Sequence, residues 1–222
     1  MRIAAIMILA LLAVSASPAQ VRLGARLDLA VPTAPWKVAG VGLGMSPGEA
    51  GVALKTAGYG LGRRYMGRSW QGEVANLVSN LRAIRIPAGA EVVTKEDYRK
   101  GQEFIQVEYV AGRAGPYVSR VLYKIRSDAI DAERFRAAAL SRYGRPSLKF
   151  EWESLYCSAD ERQCSRTGSL VTNQLPNLTV YVMDVMNRTL DLRQGERADL
   201  AYRAAVKAEA ERLYPKKDKL SF

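Results

Sequence analysis

Two stretches in the middle of the chain alternate apolar and polar residues with a period of two, and this pattern restricts the fold more than any other feature. In the first, Ile105, Val107 and Tyr109 point one way while Gln106 and Glu108 point the other. In the second, Tyr117, Val121, Tyr123 and Ile125 share a face, and Arg120, Lys124 and Arg126 share the opposite one. Side chains of a strand alternate across the sheet, so each stretch reads as a half-buried strand. The turn Gly112-Arg113-Ala114-Gly115-Pro116 between them predicts an antiparallel hairpin with one core face and one charged, wet face.

Helical patterns surround this hairpin. Ser46-Pro47-Gly48-Glu49 is a helix start, with Ser46 as N-cap, Pro47 at the first helical position and Glu49 completing a capping box. Ala50, Ala53, Leu54 and Ala57 form its inward stripe, and Gly58 stops it. A strand is expected over 59–65, then a second helix over 70–85 with Val74, Leu77, Val78 and Leu81 at helical spacing. The pattern then recurs. Asp128 is expected to cap a helix over 129–143, with Ala132, Phe135, Ala139 and Tyr143 inward and Gly144 and Pro146 ending it. A strand follows in which Leu148, Phe150 and Trp152 face inward and Lys149, Glu151 and Glu153 outward, and another is expected over 178–183.

The predicted class is therefore α+β, built as tandem units of one helix plus a small antiparallel sheet. The first unit spans 46–127 and the second 128–195, about 80 residues apart, with little residue identity between them. An extended lead-in over 20–45, carrying a short strand at 38–43, precedes them. An alanine-rich helix over 196–213 and a basic tail, together 196–222, close the chain.

The N-terminus has the layout of a secretory signal: Met1-Arg2, an apolar run over 3–14, then small residues. Cleavage is expected after Ala19 or after Ala16, making residues 1–19 a signal peptide and the mature protein periplasmic or secreted. The run is shorter than the roughly 20 residues of a bilayer-spanning helix. No cysteine follows it to accept a lipid.

Export changes how the two cysteines are read. Cys157 and Cys164 flank Ser-Ala-Asp-Glu-Arg-Gln, and in an oxidising compartment a disulfide is expected, worth roughly 2.5 kcal/mol in the chain-entropy model. A reactive dithiol is the alternative; a zinc shell is not, because the chain has no histidine. The net charge of +11, near +10 once Arg2 leaves with the signal, attracts polyanions through salt-sensitive forces. In the envelope these are lipopolysaccharide, anionic lipid and cell-wall polymers, not nucleic acid.

Catalytic patterns fail on inspection. Gly44-Met45-Ser46-Pro47-Gly48 matches G-x-S-x-G, but Pro47 has no N–H for an oxyanion hole and no histidine base exists. Arg166-Thr167-Gly168 and Ser127-Asp128-Ala129 approximate two elements of penicillin-recognising enzymes, yet the S-x-x-K that would carry their nucleophile is absent. Glu151 and Glu153 could act as a hydrolase pair, although a solvated strand face explains them as well. The glycine-rich runs 40–44 and 58–62 do not satisfy G-x-G-x-x-G. No metal or cofactor is implied.

What remains is binding. Glu108, Arg120, Lys124 and Arg126, together with the aromatic residues Trp70 and Tyr156, form a candidate binding face, although either aromatic could instead plug the edge of a small core. The segment Leu43-Gly-Met-Ser-Pro-Gly-Glu49, running on to Leu54 and Gly58-Tyr59, resembles the helix entry of the SmpA/OmlA family of outer-membrane assembly proteins. It is also similar in outline to β-lactamase-inhibitor-protein-like modules. The chain lacks the first family's lipid-attachment cysteine, is longer, and uses the unit twice. The resemblance implies a non-catalytic binder in the cell envelope. The expected partner is an envelope protein; a polyanion binder and a carboxylate hydrolase are the alternatives.

Overall fold

The computed structural model describes residues 34–87, 89–158, 164–167, 170–173, 175–182 and 186–215. The expected signal peptide, most of the lead-in and the basic tail lie outside the described residues.

Local chemistry places the first helices. Ser46 Oγ accepts from the Glu49 N–H at 3.3 Å and the Ser46 N–H donates to Glu49 Oε2 at 2.7 Å, starting α1 (Pro47–Thr56) with a complete capping box. After β1 (Gly60–Arg68), Ser69 Oγ accepts from the Gly72 N–H and starts α2 (Trp70–Arg82). Next come β2 (Glu91–Lys100), β3 (Glu103–Gly112) and β4 (Gly115–Arg126). The helix α3 (Ala132–Tyr143) is capped by Asp131, whose carboxylate accepts from the Arg134 N–H at 2.8 Å. Asp128 is not the cap; it is held by Arg126.

The strand expected from Leu148 onward breaks in two, β5 (Leu148–Lys149) and β6 (Glu153–Cys157). Trp152 lies in the break, half exposed, and the buried residues there are Leu155 and Tyr156 instead. A separate hairpin follows, β7 (Cys164–Thr167) with β8 (Leu170–Asn173), then β9 (Asn177–Tyr181), β10 (Asn187–Arg193) and α4 (Glu196–Leu213).

The two small sheets expected from the sequence are one. Eight strands pair antiparallel in the order β1-β2-β3-β4-β10-β9-β6-β5, and β4 with β10 forms the seam between the halves. One face of this sheet is the main core. Ile105, Val107, Val121, Leu178, Val180 and Leu192 meet Ala50 and Leu54 of α1 and Phe135 and Ala139 of α3. Residues 38–43 are a plug rather than a strand. Val38 and Val41 exchange backbone hydrogen bonds of 2.9 Å across a turn through Ala39 and Gly40, both at positive φ, and are buried in that core. A second apolar cluster joins Trp70, Val74 and Val78 of α2 to Ala205, Val206 and Ala210 of α4.

The hairpin β3–β4 exists, with one correction. Glu108 pairs with Arg120 but Tyr109 pairs with Val118, so Ser119 is an extra residue in β4. A bulge of this kind shifts the side-chain alternation by one. Val118, opposite Tyr109, therefore takes the core position, and Tyr117, opposite Val110, turns to the other face, near Asp199 of α4. No helix of the described residues is long and apolar enough to cross a membrane.

Candidate binding site

The face of the sheet away from α1 and α3 is polar. Over β2, β3 and β4 it is half exposed, with Asp97, Gln106, Glu108, Arg120 and Lys124 upon it. Over β9 and β10 it closes, and Thr179 and Asp191 are buried.

Asp191 organises the middle of this face. Arg120 grips it with two hydrogen bonds, Nε to Oδ1 at 2.8 Å and Nη2 to Oδ2 at 2.9 Å, and reaches Glu108 with Nη1 at 3.4 Å. Arg193 bonds the same carboxylate from the neighbouring position. Burial pushes the Asp191 carboxyl upward, but the two guanidiniums outweigh it and hold the group below the usual aspartate value. Arg120 is correspondingly held in its charged form by Asp191. It ties β4 to β10 and is not available as a recognition cation.

Lys124 and Arg126 lie farther along β4. Lys124 sits opposite Phe104, and the Arg99 guanidinium stands 5.5 Å from the centre of the Phe104 ring. A depression of about 480 Å³ is lined there by Arg99, Gln102, Glu103, Phe104, Lys124 and Arg126, and the Glu103 carboxylate accepts from the Tyr59 hydroxyl. Among the described residues, Arg99 and Lys124 make no ion pair, whereas Arg126 is engaged with Asp128. This is a basic surface with an aromatic centre.

The sequence-predicted face is thus divided. Glu108 and Arg120 belong to the Asp191 cluster, and Lys124 and Arg126 to the basic depression. Trp70 and Tyr156 belong to neither. Trp70 is buried between α2 and α4, edge-on to Tyr202 at 5.7 Å and beneath the Arg113 guanidinium. Tyr156 is buried in the main core, edge-on to Tyr143 at 6.0 Å. Glu151 lies outside any strand and Glu153 begins β6, so the two do not share a strand face. Cys157 ends β6, and no described cysteine is a free thiol; the side chain of Cys164 lies outside the described residues.

Sequence reasoning missed a second carboxylate site. Glu96 of β2 is fully buried on the core side of the sheet. It accepts from Arg64 Nε at 2.8 Å, from the Tyr98 hydroxyl at 2.9 Å and from the Tyr109 hydroxyl at 2.7 Å. Burial, then the bond to Glu96, pushes both phenols above the usual tyrosine value. With both oxygens satisfied, the cluster pins the edge strand β1 to the sheet. Phe104 and Arg99 were also missed, because their pairing depends on the β2–β3 register. No protein-family model, no curated protein and no solved structure matches the chain.

Proposed function

We propose that the protein is a non-catalytic binding module of the bacterial cell envelope, exported by its N-terminal signal, that presents the basic surface around Phe104 to an envelope protein. The observation that carries this reading is the pairing of Arg99 and Lys124, without carboxylate partners among the described residues, around an aromatic ring on a half-exposed sheet face. Cations stacked on or beside an aromatic ring suit acidic or amide-rich protein surfaces. The fit to a binder in the envelope agrees with what the SmpA/OmlA-like helix entry implies. The pairing of Cys157 with Cys164 belongs to the same reading, since a secreted chain meets an oxidising compartment.

The net charge of +11 favours a second reading, in which the same surface takes lipopolysaccharide or an anionic wall polymer. One experiment separates the two. The mature, unreduced protein is used to capture partners from solubilised envelope in low and in moderate salt, beside the Arg99→Glu/Lys124→Glu variant. A discrete protein band that persists in moderate salt and is lost in the variant is the expected result. Retention of glycolipid or polymer that vanishes with salt would replace the protein partner by a polyanion. Capture unaffected by the double charge reversal removes this surface from the model. Arg120 is unsuitable as a probe, because reversing it would set a second carboxylate against the buried Asp191 and leave Arg193 alone to pair it.

A further inference from the structure

The eight-stranded sheet ends on one side at β5, which is two residues long. On the other side it ends at β1, which runs for nine residues with β2 along one flank and no strand along the other among the described residues. An extra residue at Gly62 interrupts the pairing with β2, and from Arg63 to Arg68 the strand carries no further insertion of its own. Such an edge offers a row of outward N–H and C=O groups to any extended chain that can lie beside it. The side chains restrict which chain that is.

The two faces of β1 differ. Leu61 and Met66 sit opposite Tyr98 and Val93 on the core side, yet they are 49 % and 50 % exposed. Between them Arg64 is committed to the buried Glu96. Arg63 and Tyr65 sit opposite Asp97 and Lys95 on the polar side. There the Lys95 ammonium stands 4.0 Å from the centre of the Tyr65 ring, and Arg63 shares a hollow of about 270 Å³ with Asp97, Arg99 and Phe104. Asp97 already accepts from Tyr65 and Gln106 and stands among three cations, so positive charge is in surplus. The edge is apolar on one side and basic on the other.

We propose that β1 accepts a ninth strand from a partner protein, an extended segment with apolar side chains on one face to cover Leu61 and Met66 and carboxylates on the other to meet Arg63. A second copy of this chain is a poor occupant. Antiparallel pairing of two β1 strands would set Arg63, Arg64 and Arg68 of one against those of the other, and like charges across a strand pair repel. The inference rests on the reading that the partner is a protein, and not on the surface around Phe104 being the contact.

The test is NMR of the mature, unreduced protein with a synthetic peptide of alternating glutamate and valine. The free protein should be a monomer by size-exclusion chromatography, with every second backbone N–H from Arg63 to Arg68 exchanging rapidly with solvent. The peptide should shift β1 saturably and slow that exchange about tenfold or more. The same peptide N-methylated throughout, or with lysine in place of glutamate, should do neither. Arg63→Glu should weaken binding about fivefold, the scale of an exposed charge contact. Slow exchange of those N–H groups in the free protein would overturn the proposal, with the chain's own lead-in as the occupant in a monomer and a second copy in a dimer. Equal binding of the lysine peptide would overturn the charge assignment. Shifts confined to Arg99, Phe104 and Lys124 would end the edge assignment and leave the basic surface as the contact. An absence of saturable shifts would end it too, while the capture experiment with the Arg99→Glu/Lys124→Glu variant decides separately on that surface.

Discussion

A charged residue on a sheet can be a recognition group or a structural tie, and its partners decide which. Arg120 is a tie: replacing it by alanine would leave Asp191, 2 % exposed, with Arg193 alone. Breaking a buried ion pair from one side costs about 3 kcal/mol, and urea unfolding of Arg120→Ala should show a loss of that order. The same cluster makes a pH prediction. The Asp191 carboxyl lies below its ordinary value of 3.8 in the folded state, despite burial, because of Arg120 and Arg193. A depressed folded pKa stabilises above the unfolded value and loses that stabilisation as pH falls through the folded one. Unfolding midpoints should therefore drop between about pH 5 and pH 2, and Asp191→Asn should be less stable at neutral pH with a shallower acid loss. An equal acid slope in the two proteins would remove Asp191 from this account.

At the scale of elements, the helices were legible because their signals are local. Ser46, Pro47 and Glu49 lie within one turn, and the capping box they form follows from their spacing alone. Ser46→Ala should cost about 1 kcal/mol of stability, read from thermal or urea unfolding. The helix α2 ends at Ala83 with φ 51, a left-handed conformation in which a Cβ is crowded. Ala83→Gly should accordingly stabilise the protein by about 1 kcal/mol, seen as a higher unfolding midpoint. Apart from β1, expected after the helix stop at Gly58, the strands that were legible were those with alternation that is apolar on one side. In β3 Ile105, Val107 and Tyr109 announce the core face. In β2 the matching core position is Glu96, and in β10 the alternating leucines are separated by the buried Asp191. A charged residue in a buried register position hides a strand, since its burial is stable only beside partners supplied by other strands. The Ser119 bulge has the same origin: it exists in the pairing of β3 with β4 and leaves no trace in β4 alone.

For the whole molecule the consequence is a single sheet. The expected boundary near residue 128 falls between β4 and α3, yet β4 pairs along seven residues with β10, from Arg120 to Arg126. A fragment ending at residue 127 would leave β4 as an open edge and the main core without Phe135, Leu178 and Leu192. That fragment should be aggregated or unfolded by size-exclusion chromatography and circular dichroism; a folded monomer would restore the tandem-unit picture. What could be read from the amino acids alone was whatever lies within a few residues of its cause: the capping box of α1, the central hairpin, the alternation that makes one of its faces wet. Only the tertiary structure decided that β4 meets β10, that Trp70 and Tyr156 are buried, and that Arg120 is bound while Lys124 and Arg99 stand clear around Phe104. Each of those outcomes depends on residues far apart in the chain meeting in one register, and pairing between distant strands is information that no local window holds.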